Sequence, residues 1–339
     1  MLISTANYTI AALQAANGTM TLDDLKNYQV IIRKPISIDY RGYKLFSTPA
    51  PSGGSVGLSI LKIIEGYNMS DPDLRNVNLH RLDEAMRFSY GAHAELGDPC
   101  FFDYMDAFEA AMLLPKRASD IRSKILDDHT QPVSVYDPKN FSISESHGTS
   151  HIVAADASGM TITSTSTINL LFGSQLMVPE TGVIMNNEMN DFSIPGHHNK
   201  FGFVPSPINY IRPFKRPLSS ITPIIVEHPN ATLYLSIGAA GGSRIITSTI
   251  QAVWHVLDHG MDLPEALKEK RIHDQLLPDL TTFELGFEEN LVEGMRGRGH
   301  NITWVGNHQS AVQGVRLLGN GTFEAASEPR QVNSGGLAV

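Results

Sequence analysis

Two short runs of alternating polar and apolar residues, 150–155 and 160–165, flank an Asp156–Gly159 turn. Strict alternation is the pattern of a half-buried strand, and Gly159 can take the positive φ that such turns often need, so the stretch predicts a β-hairpin. Upstream, Thr21-Leu-Asp-Asp predicts the start of a short helix with acidic residues in its first turn. Residues 31–46 predict extended pieces around Tyr40-Arg-Gly42. The breaker-rich loop 49–54 leads into a buried packing helix with Val56, Ile60, Ile63 and Ile64 on one face. A longer amphipathic helix is predicted over 78–96, carrying Leu79, Leu82 and Met86, with His80 and His93 read as packing or surface residues rather than ligands. Residues 103–127 predict two further helices broken at Pro115.

Beyond these elements the pattern loosens. Residues 128–145 read as a polar, irregular, exposed connection that ends almost directly at Thr149. Residues 193–217 read as a Pro- and His-bearing loop; its His197-His198 pair has no carboxylate or third histidine at ligand spacing and reads as solvated loop. A second hairpin is predicted over 223–237, turning at His228-Pro229-Asn230. Gly238–Gly242 closes its last strand, and Ser243 opens a helix lined by Ile246, Ile250, Val253, Trp254 and Leu257 that Gly260 stops. Short helices follow at 263–270 and 287–297, then a last pair of strands around Gly319-Asn-Gly321. Hairpins interleaved with amphipathic helices predict an α+β fold, two antiparallel sheets with helices on both outer sides.

Composition narrows the classes. With 339 residues, 42% hydrophobic and 18% charged, the chain can bury a substantial core as one large or two smaller domains. A formal net charge of −9 without a basic stripe argues against a nucleic-acid partner. No run of eighteen apolar residues encodes a transmembrane helix, and Met1–Thr5 lacks the basic start and apolar centre of a signal peptide. The lone Cys100 allows no internal disulfide. Seven N-x-S/T sequons, at Asn7, Asn17, Asn68, Asn140, Asn230, Asn301 and Asn320, suggest a secretory-route protein whose targeting segment is not in this sequence: membrane-anchored, vacuolar or extracellular.

Several residues are candidates for chemistry, each with a plainer reading beside it. Thr149 opens the central hairpin, which β-propensity alone would explain. A threonine hydroxyl can also serve as a nucleophile when an α-amine takes its proton. Gly241 and Gly242 stand at a strand end ahead of a helix. They suit an oxyanion hole, a tight turn or a phosphate cradle, although the lysine of a phosphate loop is missing. Glu188 and Asp191 form an acidic pair in a polar loop, ordinarily a solvated turn.

The runs TSTINLLFGS, NNEMNDF, PLSS, GAAGGSRI and HDQLLPD, with TLDDLKNY and TPAPSGG upstream, resemble the γ-glutamyltransferases (glutathione hydrolases) from about Asn17 to the C-terminus. The resemblance implies the four-layer αββα sandwich of the N-terminal-nucleophile hydrolases. It also implies self-cleavage before Thr149, whose hydroxyl attacks the Gly148 carbonyl to give an ester that water opens. Gly148 suits that step because, lacking Cβ, it permits a strained backbone. Two fragments result: 1–148, matching the C-terminal part of the large subunit, and 149–339, matching the small catalytic subunit, packed into one unit as a heterodimer.

The same resemblance carries over Thr149 as nucleophile and Thr167 as the hydroxyl that orients it. It assigns Gly241 and Gly242 to the oxyanion, Asn169, Glu188 and Asp191 to the substrate ammonium, and Ser219 and Ser220 to its α-carboxylate. Asn190 stands where the family often has Asp, and it receives no role. The expected partners are glutathione and γ-glutamyl compounds, with water, an amino acid or a dipeptide as acceptor; no cofactor or metal is implied. The alternatives are a glutaryl-type acylase of the same superfamily, which would have no ammonium to hold, or an inactive truncated product. The family's large subunit carries an upstream glycine-rich stretch and a carboxylate-gripping arginine with no counterpart here. The chain alone is therefore expected to be a poor catalyst, and Arg33, Arg41, Arg75 and Arg81 match other parts of the family.

Overall fold

The strand-forming stretches build a six-stranded antiparallel sheet in the order Ile36–Tyr40, Tyr43–Ser47, Ile224–Glu227, Leu233–Ala240, Ala311–Leu317 and Phe323–Ala326. A computed structural model describes residues 2–142, 148–196 and 204–339. Register sets Ile38 opposite Leu45, Leu45 opposite Val226 and Val226 opposite Leu235, a continuous buried row. Helices Gly54–Ile64 and Arg244–Asp258 cover one face of this sheet, and Arg75–His93 packs outside the first of them. Leu58, Ile60, Leu61, Ile63, Ile246, Ile250 and Val253 are all fully buried there. Each contributes roughly 1.5–3 kcal/mol by leaving water.

The other face receives the central hairpin, Thr149–Ala155 paired with Thr161–Thr167 from Thr149↔Thr167 to Ala155↔Thr161. Its turn is closed by Asp156, whose Oδ1 accepts from the Ser158 and Met160 amides, with Gly159 at φ +83°. Alternation turns Thr149, His151, Thr163, Thr165 and Thr167 toward the large sheet, and leaves Ile152 and Ile162 exposed on the opposite face. His151 is the contact point. Its Nδ1 lies 2.8 Å from Thr165 Oγ1 and its Nε2 3.0 Å from Thr163 Oγ1. The imidazole rests on Gly238, where any Cβ would overlap the ring. Thr163 also donates to the Ile237 carbonyl at 3.2 Å, so the hairpin is bonded to the large sheet as well as packed on it.

Three expectations need correction. The 128–145 connection is not uniformly loose. It contains a helical turn, Val133–Tyr136, and Tyr136 is buried with its hydroxyl donating to Glu84 at 2.7 Å. Asp137 is buried too, accepting from the Lys139 and Phe141 amides at 3.0 and 2.6 Å. An aromatic ring and a capping carboxylate fasten this segment without any periodic signal; residues 143–147 lie outside the described residues. Likewise the 193–217 loop is not simply solvated, because Ser206, Asn209 and Lys215 are buried, while His197 and His198 lie outside the described residues. The HDQLLPD region forms a small sheet that the pattern did not announce, Ile272–His273 antiparallel to Thr281–Glu284, itself parallel to Ile302–Val305.

His80 does pack inside, in a cluster that has ligand-like spacing with Glu84 and His300 and, through His300, with Asp83 and Asp274. Its ring nitrogens are already engaged: Nε2 faces the Leu126 carbonyl at 2.8 Å and Nδ1 faces His300 Nε2 at 2.7 Å. His300 Nδ1 in turn meets Asp83 at 3.0 Å. Burial alone would depress the His300 pKa, but the Asp83 carboxylate outweighs it and holds the imidazole above its ordinary value. The arrangement is an ion pair continued by a neutral histidine, with both rings' nitrogens committed before any metal arrives.

Candidate active site

The hairpin ends side by side at Thr149 and Thr167, and the site begins there. Thr149 Oγ1 donates to Thr167 Oγ1 at 3.2 Å, and Thr167 Oγ1 donates to the Gly148 carbonyl at 3.3 Å. The Ile168 amide donates to the same carbonyl at 3.1 Å, and the Asn169 amide donates to Thr167 Oγ1 at 2.9 Å. Thr167 therefore accepts two hydrogen bonds and gives one, the full complement of a hydroxyl. Gly148 is also constrained sterically. A Cβ at 148 would collide with the backbone carbonyls of Leu170 and Asn169, neither of which can swing aside. Gly148→Ala is expected to slow cleavage at 148–149 by at least about tenfold, because an ångström of misplacement can cost that much or more. Following the uncut fraction over time by intact mass tests this, and an unchanged rate would contradict it.

From Thr167 the backbone turns through Asn169, at φ +70°, and its buried side chain donates Nδ2–H to the Asn187 carbonyl at 3.0 Å. Asn187 returns the contact through Oδ1 to the Leu170 amide at 3.0 Å and through its own amide to the Ile168 carbonyl at 3.2 Å. This lacing delivers the next residue, Glu188, which opens a short 3₁₀ turn ending at Asp191. Asp191 is buried, and burial first, then hydrogen bonding to and repulsion by the Glu188 carboxylate, push its pKa up to about 8.

Ser219 and Ser220 sit on a segment held from the other side. The Ser219 amide donates to Pro51 O at 2.7 Å, and the Gly53 amide donates to Ile221 O at 2.9 Å. That is the work of the TPAPSGG loop, which the sequence pattern marked only as breaker-rich. Glu109, buried one layer below, accepts from the Ala50 amide at 2.8 Å. Gly241 and Gly242 follow the strand Leu233–Ala240 with φ of +133° and +62°. Their carbonyls accept from the Arg244 and Ile245 amides at 3.3 and 3.1 Å. Hydrogen bonds thus run from Thr149 and Thr167 through Asn169 and Asn187 to the turn bearing Glu188 and Asp191, while Ser219 and Ser220 sit on a separate segment held by the Pro51 loop. The glycine pair joins them through the packing of the two sheets, with no hydrogen bond to Thr149. Arg33, Arg41, Arg75 and Arg81 are engaged elsewhere, by Asp98, Asp258, Glu288 and Asp127. The sequence reading missed Ile168, Asn187, Pro51 and Asn209, whose contributions are mostly backbone or depend on distant partners.

A two-stranded hairpin set against an antiparallel sheet with helices behind it is the fold of the N-terminal-nucleophile hydrolases. A cephalosporin acylase from Bacillus halodurans shares it over 99% of this chain and 58% of its own, with a TM-score of 0.80 at 23% identity. The family profile described as Gamma-glutamyltranspeptidase matches residues 4–337, and the chain belongs to that family. It is 51% identical to a glutathione hydrolase proenzyme of Arthroderma benhamiae over 98% of this chain and 57% of that protein. It is 41% identical to a glutathione hydrolase of Aspergillus flavus over 97% and 56%. The chain thus spans a little over half the length of these relatives. A solved γ-glutamyltranspeptidase of Helicobacter pylori matches 53% of this chain and 99% of its own, with 36% identity and a TM-score of 0.50.

Proposed function

We propose that these residues carry out γ-glutamyl acyl transfer. Thr149 first attacks the Gly148 carbonyl carbon; its hydroxyl oxygen forms the ester, the 148–149 C–N bond breaks, and the proton ends on the departing nitrogen. Water then opens that ester, giving the fragments 1–148 and 149–339, and the freed α-amine of Thr149, with an ordinary pKa near 8, becomes the general base. In the second reaction Thr149 takes the γ-glutamyl group of glutathione or a conjugate as an ester, releasing the amine portion. Water or an amino acid or dipeptide accepts the group. Thr167 orients the nucleophile, and the Gly241 and Gly242 amides receive the oxyanion. Glu188, Asp191 and Asn169 surround the α-ammonium, and Ser219 and Ser220 donate to the α-carboxylate.

The observation that carries this reading is the short 3₁₀ turn that bears both Glu188 and the buried Asp191, because a glutaryl group offers nothing positive for such a pair of carboxylates. The names of the relatives in Arthroderma and Aspergillus point the same way. All seven sequon asparagines are exposed, which supports a secretory route for the protein. The test is release of p-nitroaniline from L-γ-glutamyl-p-nitroanilide and from glutaryl-p-nitroanilide by chain cut at 148–149. Turnover of the first but not the second is expected, and slow turnover at that, since the chain alone is expected to be a poor catalyst. A cut chain that prefers the glutaryl compound would overturn the assignment.

A further inference from the structure

Asn209 stands in the Pro-bearing stretch between the acidic pair and the serine pair, and it is 2% exposed. Its Nδ2–H donates to the Asp191 carbonyl at 2.6 Å, while its Oδ1 accepts from the Leu218 amide at 3.0 Å. Its own carbonyl accepts from the Ser193 amide at 3.0 Å. One planar amide therefore ties the backbone of the proposed ammonium subsite to the residue preceding Ser219. The partners fix the orientation of the amide, since one is a carbonyl and the other an N–H.

The turn that presents Asn209 is itself pinned. Ser206 Oγ donates to the Ala94 carbonyl at 2.8 Å, and the Asn209 amide donates to Ser206 O at 3.1 Å. Lys215 Nζ reaches the carbonyls of Ile208 and Tyr210 on either side of it. Asn209 is thus a fixed spacer rather than an adaptable contact.

Given the proposed γ-glutamyl reading, on which this rests, we infer that Asn209 is a positioning residue. It sets the separation of the ammonium and carboxylate subsites, so that the α-amino-acid head group is read as one unit. In an α-amino acid the amine nitrogen and the carboxylate carbon are only about 2.5 Å apart, as two bond lengths and a near-tetrahedral angle require. Subsites on separate loops hold both groups together only if their spacing is fixed to within a fraction of that distance. No other side chain among the described residues hydrogen-bonds to both loops.

The experiment compares the parent with Asn209→Asp, which keeps the acceptor toward Leu218 but loses the donor toward Asp191, and Asn209→Leu, which loses both. Calorimetry measures binding of L-glutamate, of glutarate without the ammonium and of 4-aminobutyrate without the α-carboxylate. The parent should prefer L-glutamate to both. In both variants each preference should shrink at least about fivefold, with KM for L-γ-glutamyl-p-nitroanilide rising while kcat per cut chain changes less than about threefold. A merely structural role would weaken all three ligands alike, and unchanged preferences would overturn the inference while leaving the function intact. A cut parent that binds none of the three would remove the function and this inference with it.

Discussion

Thr149→Ala should leave the chain uncut at 148–149 and lower γ-glutamyl release by on the order of 10³-fold or more, the scale seen when a covalent nucleophile is removed. The fold should survive. The hydroxyl's bond is to Thr167 at 3.2 Å, and loss of one such bond costs about 1 kcal/mol. Thr149→Ser should retain cleavage, since it keeps the oxygen and loses only the methyl. Intact mass reports the cut, and p-nitroaniline release reports turnover. A cut Thr149→Ala chain, or one with parental activity, would remove Thr149 from both steps.

The second large effect is at Asp191. Asp191→Asn should weaken L-glutamate by about 2–5 kcal/mol, the range for removing one partner of a desolvated charge pair. The parent's affinity should also depend on pH in a direction the structure dictates. With Asp191 pushed up to about 8, the free site holds a proton at neutral pH that the ligand's ammonium must displace. Affinity should therefore rise about tenfold per unit from pH 5 to 7 and level off near 8, where the carboxyl is already ionised. In the variant this slope should disappear. Stability should move the other way. The folded state holds the Asp191 proton that the unfolded chain has lost, so this contribution fades as pH rises through about 8. Asp191→Asn should accordingly be the more heat-resistant protein at pH 9. Calorimetric titration from pH 5 to 9 and melting at pH 9 check both, and a flat parental affinity would show that this carboxyl does not meet the ammonium.

How much of this was legible depends on what each residue needs to do its work. Thr149 and Thr167 sit in a strictly alternating hairpin, so position and facing follow from period two. Gly241 and Gly242 stand where a strand meets a helix, and both do take positive φ. Glu188 and Asp191 were visible as a pair, but their contact depends on Asn169 and Asn187 lacing the preceding loop. Asn209 and Lys215 were invisible. They lie among prolines with no periodicity, and their partners, Asp191, Leu218, Ile208 and Tyr210, follow no regular spacing in the chain. Tyr136 and Asp137 were misread for the same reason, since a single ring against Glu84 leaves no pattern in the residues around it.

The seat of His151 on Gly238 bears on how such a chain can vary over time. The imidazole fills the space that any side chain at 238 would need, so neither position can change freely without the other. A lineage that enlarges residue 238 must shrink residue 151. It then also gives up the hydrogen bonds to Thr163 and Thr165, two residues short of the threonine at each end of the ladder. Drift at this crossing should therefore be paired, and a lone alanine at 238 should be met more often as a broken protein than as a neutral variant.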